Sequence, residues 1–126
     1  MHTRIGFLGV LLVLAAGVPV AAQQRFSDLA PADEYFGRMK MSILGISNTI
    51  HDAGVHLDQG ANPTIVANSL SWAEDAIGDW SRRYPRDPWI PRSLTALRLA
   101  YARIPTPWGQ ESARRVAVWL RDFETK

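Results

Sequence analysis

The chain has 126 residues, 14 Lys and Arg against 12 Asp and Glu, 47% apolar side chains and no cysteine. It is too short for two ordinary domains, too apolar for a disordered chain and too evenly charged for an obligate nucleic-acid binder, so no nucleic-acid partner is expected. Without a thiol, disulfide scaffolds, cysteine-ligated zinc, cysteine nucleophiles and covalently attached c-type haem are all excluded.

Residues 1–22 read as an export signal. A short basic region holding Arg4 precedes a small and apolar run from Ile5 to Ala16, Gly17 and Pro19 break it, and Val20-Ala21-Ala22 supplies the small residues that signal peptidase reads. The run is shorter than the roughly 20 residues needed to cross a bilayer, which argues against an uncleaved anchor. Cleavage between Ala22 and Gln23 leaves 23–126 as a single domain, expected in a periplasm or outside the cell with no transmembrane segment.

Downstream, apolar residues recur every three and four positions and strand-like alternation is missing, so the domain reads as all-α. Phe36, Met39, Ile43, Ile46, Ile50, Ala53 and Leu57 form one stripe, predicting a long helix from near Pro31 to near Asp58, with Met39 as core filler and Gly60 as its stop. Asn62 and Pro63 then offer an N-cap followed by a proline at the first helical position. The second helix carries Val66, Leu70, Ala73, Ile77, Trp80 and Tyr84 and ends at Pro85. Three prolines between Pro85 and Pro91 predict a stiff connector. A third helix runs from about Pro91 to Ile104 on Ile90, Leu94, Leu97, Tyr101 and Ile104, and a fourth follows the Thr106-Pro107 cap with Ala113, Val116, Leu120 and Phe123. Such helices bury their stripes most simply as a four-helix antiparallel arrangement of two helical hairpins, as in an up-down bundle.

Trp80 and Tyr84 in the second helix match Trp119 and Phe123 in the fourth at one offset, which Ile77 and Val116 share. With Tyr84-Pro85, Asp87-Pro88 and the Leu94, Leu97, Tyr101 spacing, residues 72–123 resemble the tetratricopeptide-repeat helical hairpin of exported bacterial proteins. Arg98 replaces the family's small residue, the turn from Pro105 to Gly109 is longer, and no proline closes the last helix. The resemblance implies a TPR-like protein-interaction scaffold without chemistry of its own.

Charge is unevenly placed. Residues 23–81 hold three basic side chains against eight acidic ones, and residues 82–126 hold ten basic against four acidic. The expectation is that the halves pair with one another, for example Asp79 with Arg83 at i, i+4. The alternative is an arginine-rich face for an acidic protein, a wall polymer or a lipid headgroup surface.

Catalytic vocabulary is sparse. His51 and His56 lie five apart, about 140° around a helix axis, so they share a metal only if Gly54 breaks the helix. Asp52 and His56 have ligand spacing but are too few for a closed site. Glu74, Asp75 and Asp79 could serve acid–base work, with Trp72 and Trp80 lining a sugar cleft, although acidic residues between core positions belong more often to a wet helix face. Met39 and Met41 have no histidine on the last two helices to complete a haem site, and no metal or other cofactor is expected.

Trp89, held in the proline connector between Arg86 and Arg92, has the makeup of an exposed binding anchor. A hydrophobic staple onto the third helix is the other reading of the same ring. Leu44 and Ile65 lie off the stripes and want a neighbour. The leading reading is a non-enzymatic interaction or accessory module of the cell envelope, with Arg86, Trp89 and Arg92 as partner-binding residues and another envelope protein or an anionic surface as partner. The alternative is a small secreted hydrolase or metal-dependent enzyme built on the His/Asp or carboxylate cluster.

Overall fold

Each of the four helices among the described residues starts where a side chain takes up an orphaned backbone N–H, and two of those caps, Asn62 and Thr106, were readable in the sequence. In the computed structural model, which describes residues 28–126, the order is α1 Ile43–Asp58, α2 Pro63–Arg83, α3 Trp89–Ala102 and α4 Pro107–Glu124. The signal segment, residues 1–22, lies outside the described residues. Ser42 Oγ accepts from the Gly45 N–H at 3.0 Å, Asn62 Oδ1 from Thr64 at 2.9 Å, and Thr106 Oγ1 from Gly109 at 3.1 Å. Pro63 and Pro107 follow their caps directly, where a missing N–H costs nothing.

The first helix ends in a Schellman turn. Gly60 takes φ +80°, the Ala61 N–H donates to the His56 carbonyl at 2.9 Å, and the Gly60 N–H donates to Leu57 at 3.1 Å. Gly54 does not break the helix. Arg103, at the end of α3, crosses over its open side to reach Asp58, and a Cβ at Gly54 would stand 3.0 Å from the guanidinium.

The expected start of the first helix at Pro31 is corrected. Residues 31–42 form a non-helical arm in which Phe36 and Met41 pair through two backbone hydrogen bonds of 2.8 and 2.9 Å around a tight turn. Gly37 at φ +74° and Lys40 at φ 51° take left-handed geometry that a helix forbids. The turn is pressed onto α2, where a Cβ on Gly37 would come within 2.8 Å of the Ala76 Cα. Phe36 is therefore core without being helical, stacked at 6.0 Å on Trp80. Met39, expected inside, is 55% exposed at the tip of the turn.

The proline connector is also shorter than expected, because α3 begins at Trp89 and takes Pro91 into its first turn. Asp87 makes this possible. Its Oδ1 accepts from the Trp89 N–H at 3.0 Å, while Oδ2 accepts from the Trp80 indole at 2.9 Å and the Ala30 N–H at 3.0 Å. One buried carboxylate thus joins the arm, α2 and the start of α3.

The helices form two successive hairpins, α1 with α2 and α3 with α4, and α3 packs on both helices of the first pair. The core is one continuous cluster from Phe36 through Ile46, Leu70, Ile77, Trp80, Leu94, Leu97 and Tyr101 to Val116. Gly109 and Ser112 let α4 approach closely, for a Cβ on Gly109 would fall 2.6 Å from the Ile104 carbonyl oxygen.

Candidate functional site

The acidic first half and basic second half meet in a set of ion pairs. Arg83 bridges Glu34 at 2.6 Å and Asp79 at 2.9 Å, Arg86 reaches Asp28 at 2.9 Å, Arg115 reaches Glu74 at 2.9 Å, and Arg103 pairs with Asp58. The expected Asp79–Arg83 pair is among them. Much of the charge asymmetry is thereby absorbed within the molecule.

The α2 carboxylates serve the fold. Glu74 accepts from the Tyr101 hydroxyl at 2.7 Å and takes both Nε and Nη2 of Arg115, at 3.1 and 2.9 Å. Asp75 accepts from the Arg38 N–H and Asp79 from the Gly37 N–H, each at 2.9 Å, so both hold the N-terminal arm. The Gly37 N–H, with Arg83 beside it, lowers the Asp79 carboxyl from its ordinary value. Burial, reinforced by the bond to Glu74, pushes the Tyr101 phenol up. A shallow depression of about 600 Å³ lies beside Glu74, Asp75 and Trp119. Trp80, on the apolar stripe of the second helix, is fully buried as core and spends its indole N–H on Asp87, so it lines no sugar cleft.

His51 and His56 sit on an unbroken helix, both exposed, and the nearest acidic contact of His51 is its sequence neighbour Asp52 at 3.6 Å. Among the described residues no three His, Asp or Glu side chains gather as a metal site would require.

The sequence-predicted recognition residues separate. Arg86 leaves the connector to pair with Asp28, whereas Trp89 and Arg92 come together on the first turn of α3, with the Arg92 guanidinium 4.6 Å from the indole centroid. Trp89 is 51% exposed. It stands on one wall of a groove of about 680 Å³ between α1 and α3, a size within the roughly 300–1,000 Å³ range of ligand and anchor pockets. The α1 wall presents Ile43, Leu44, Ser47, Ile50 and His51, the α3 wall presents Trp89, Arg92, Ser93 and Ala96, and Leu29, Ala30 and Ala32 of the arm close one side.

Leu44, 69% exposed, is the opposite rim. Its position off the α1 stripe was the available signal in the sequence. That Leu44 faces Trp89 was not readable there, because it depends on α1 packing against α3. Sequence reasoning missed Asp87 altogether, since Asp-Pro reads as a turn and its three partners come from separate elements.

Compared with models of protein families, with curated proteins and with solved structures, the chain matches none. The site therefore has to be read from its own geometry.

Proposed function

We propose that the protein is an exported, non-enzymatic interaction module of the cell envelope, and that it meets another envelope protein at the groove between α1 and α3. The observation that carries this reading is the pairing of two large exposed apolar side chains, Leu44 and Trp89, across one depression, with an arginine laid over the indole. Aromatic and arginine side chains on a rigid element are the usual makeup of a binding hot spot. The neighbouring helices hold the rims fixed, so little ordering entropy opposes docking. In the TPR-like reading, α3, which packs on both helices of the first hairpin, stacks one hairpin on the next. Export is supported by the basic, apolar and small-residue order of residues 1–22. No helix among the described residues is long and apolar enough to cross a membrane.

Two measurements test the reading. Amino-terminal sequencing of the protein recovered from the envelope fraction should begin at Gln23, and recovery of an intact Met1 from the cytoplasm would refute export. A photo-crosslinking residue placed at Ser47, inside the groove, should give a discrete adduct that disappears in a Trp89→Ala background. The same residue at Leu99, exposed on α3 and not part of the groove lining, should give none. Equal crosslinking from both positions would overturn the groove as the interface.

A further inference from the structure

This inference rests on the groove reading above and names the chemistry of its occupant. We propose that the groove receives an amphipathic helix of a partner protein, with apolar anchors on one face and at least one carboxylate placed to meet Arg92.

The charge argument comes first. No Asp or Glu lines the groove among the described residues, and Arg92 belongs to no ion pair among them. The sequence before Asp28 contains no acidic residue that could reach it. Five other arginines, Arg82, Arg83, Arg86, Arg103 and Arg115, are each paired with a carboxylate of this chain, and Arg38, Arg98, Arg114 and Arg121, which like Arg92 belong to no ion pair among the described residues, do not line the groove. Arg92 instead lies over Trp89, at the edge of an apolar trough, with its hydrogen-bonding fork unspent. A second copy of this chain is a poor occupant, since a two-fold contact would set groove against groove and no carboxylate lines the groove to meet Arg92.

Shape favours a helix. The α1 wall runs Ile43, Leu44, Ser47, Ile50 and His51, and the α3 wall runs Trp89, Arg92, Ser93 and Ala96, so each presents about two helical turns, roughly 10 Å. Anchors at i, i+3 or i+4, and i+7 of a docked helix match that length. Both walls are helices whose backbone groups are already bonded internally, which leaves no edge to add a strand to.

The test uses the protein purified from the envelope after export and a fluorescent, end-capped peptide of about four helical turns. It carries leucines on one face and glutamates beside them, and a second version has lysine in place of every glutamate. Anisotropy should give saturable binding of the glutamate peptide, with the lysine peptide weaker by about tenfold. Arg92→Glu should reverse that preference while its thermal melt stays unchanged, and Leu44→Ser should weaken both peptides.

If the two peptides bind alike and Arg92→Glu changes neither, while Leu44→Ser abolishes both, the acidic chemistry is wrong and the groove reading survives. Binding of neither peptide overturns the helical occupant. Displacement of the glutamate peptide by sub-stoichiometric palmitate assigns the groove to an acyl chain and overturns it too. Concentration-dependent dimerisation lost in Leu44→Ser assigns the groove to a second copy, with the same consequence.

Discussion

Trp80 and Trp89 both bind Asp87, one through its indole and the other through its backbone, and the two regions they anchor are opposite in character. Around Trp80 the carboxylates of Asp75, Asp79 and Asp87 are all spent inside the molecule. The ring is stacked on Phe36, its N–H is spent on Asp87, and the arm above it is tied down by Asp75 and Asp79. Around Trp89 the ring is half exposed, the neighbouring arginine has no carboxylate among the described residues, and Leu44 lines the same groove. On the proposed function, one indole serves the fold and the other, half exposed among the described residues, serves recognition.

The comparison breaks most easily on the folding side. Phe36→Ala should cost about 4 kcal/mol, because it empties a fully buried site beneath the arm. Chemical denaturation should show the midpoint falling with little change in slope. Asp87→Ala should come next, at about 3 kcal/mol, by stranding the Trp80 indole and two backbone N–H groups. For a domain of this size that is a fall in Tm of roughly 15 °C, and a loss below a few degrees would show that Asp87 does not hold the corner together.

Acid should sharpen the same contrast. The folded state lowers the Asp79 carboxyl below 3.8, its ordinary value. The stability it contributes is present above that ordinary value and is lost as pH falls through the folded one. Thermal melts should be flat from about pH 7 to 5 and decline below about pH 4. Asp79→Asn should reduce this decline, and an unaltered acid limb would assign it to other carboxylates.

The smallest effect has the opposite sign. Ser112 is fully buried with no hydrogen-bond partner for its hydroxyl among the described residues, so Ser112→Ala should stabilise the fold by less than about 1 kcal/mol. Destabilisation would mean that the hydroxyl has a partner after all.

How legible this was in the sequence depended on how local each cause is. Asn62-Pro63 and Thr106-Pro107 mark helix starts through contacts of two or three residues, and both were readable. The arm was not. Phe36, Met39 and Ile43 carry helical spacing, but the geometry is decided by Gly37 lying on Ala76 and by Asp79 on its backbone, 42 positions away. Asp87 was hidden for the same reason, since its partners Ala30, Trp80 and Trp89 meet only once the hairpins pack. At the groove, Trp89 and Arg92 were named as an exposed aromatic and its flanking arginine, but their i, i+3 stacking depends on α3 starting at Trp89 rather than at Pro91, whereas Leu44 announced itself by falling off its stripe. Their opposition across a trough is a product of α1 packing on α3. Arg86, equally basic and equally close in sequence, went instead to Asp28.

The most direct test of the separation is one variant carrying Leu44→Ala, Trp89→Ala and Arg92→Ala, melted beside the unmodified protein and titrated with the glutamate peptide. The account predicts a Tm within roughly 5 °C of the unmodified protein together with loss of binding. A fall as large as that expected of Asp87→Ala would mean that the groove residues are part of what holds the fold, and would contradict it.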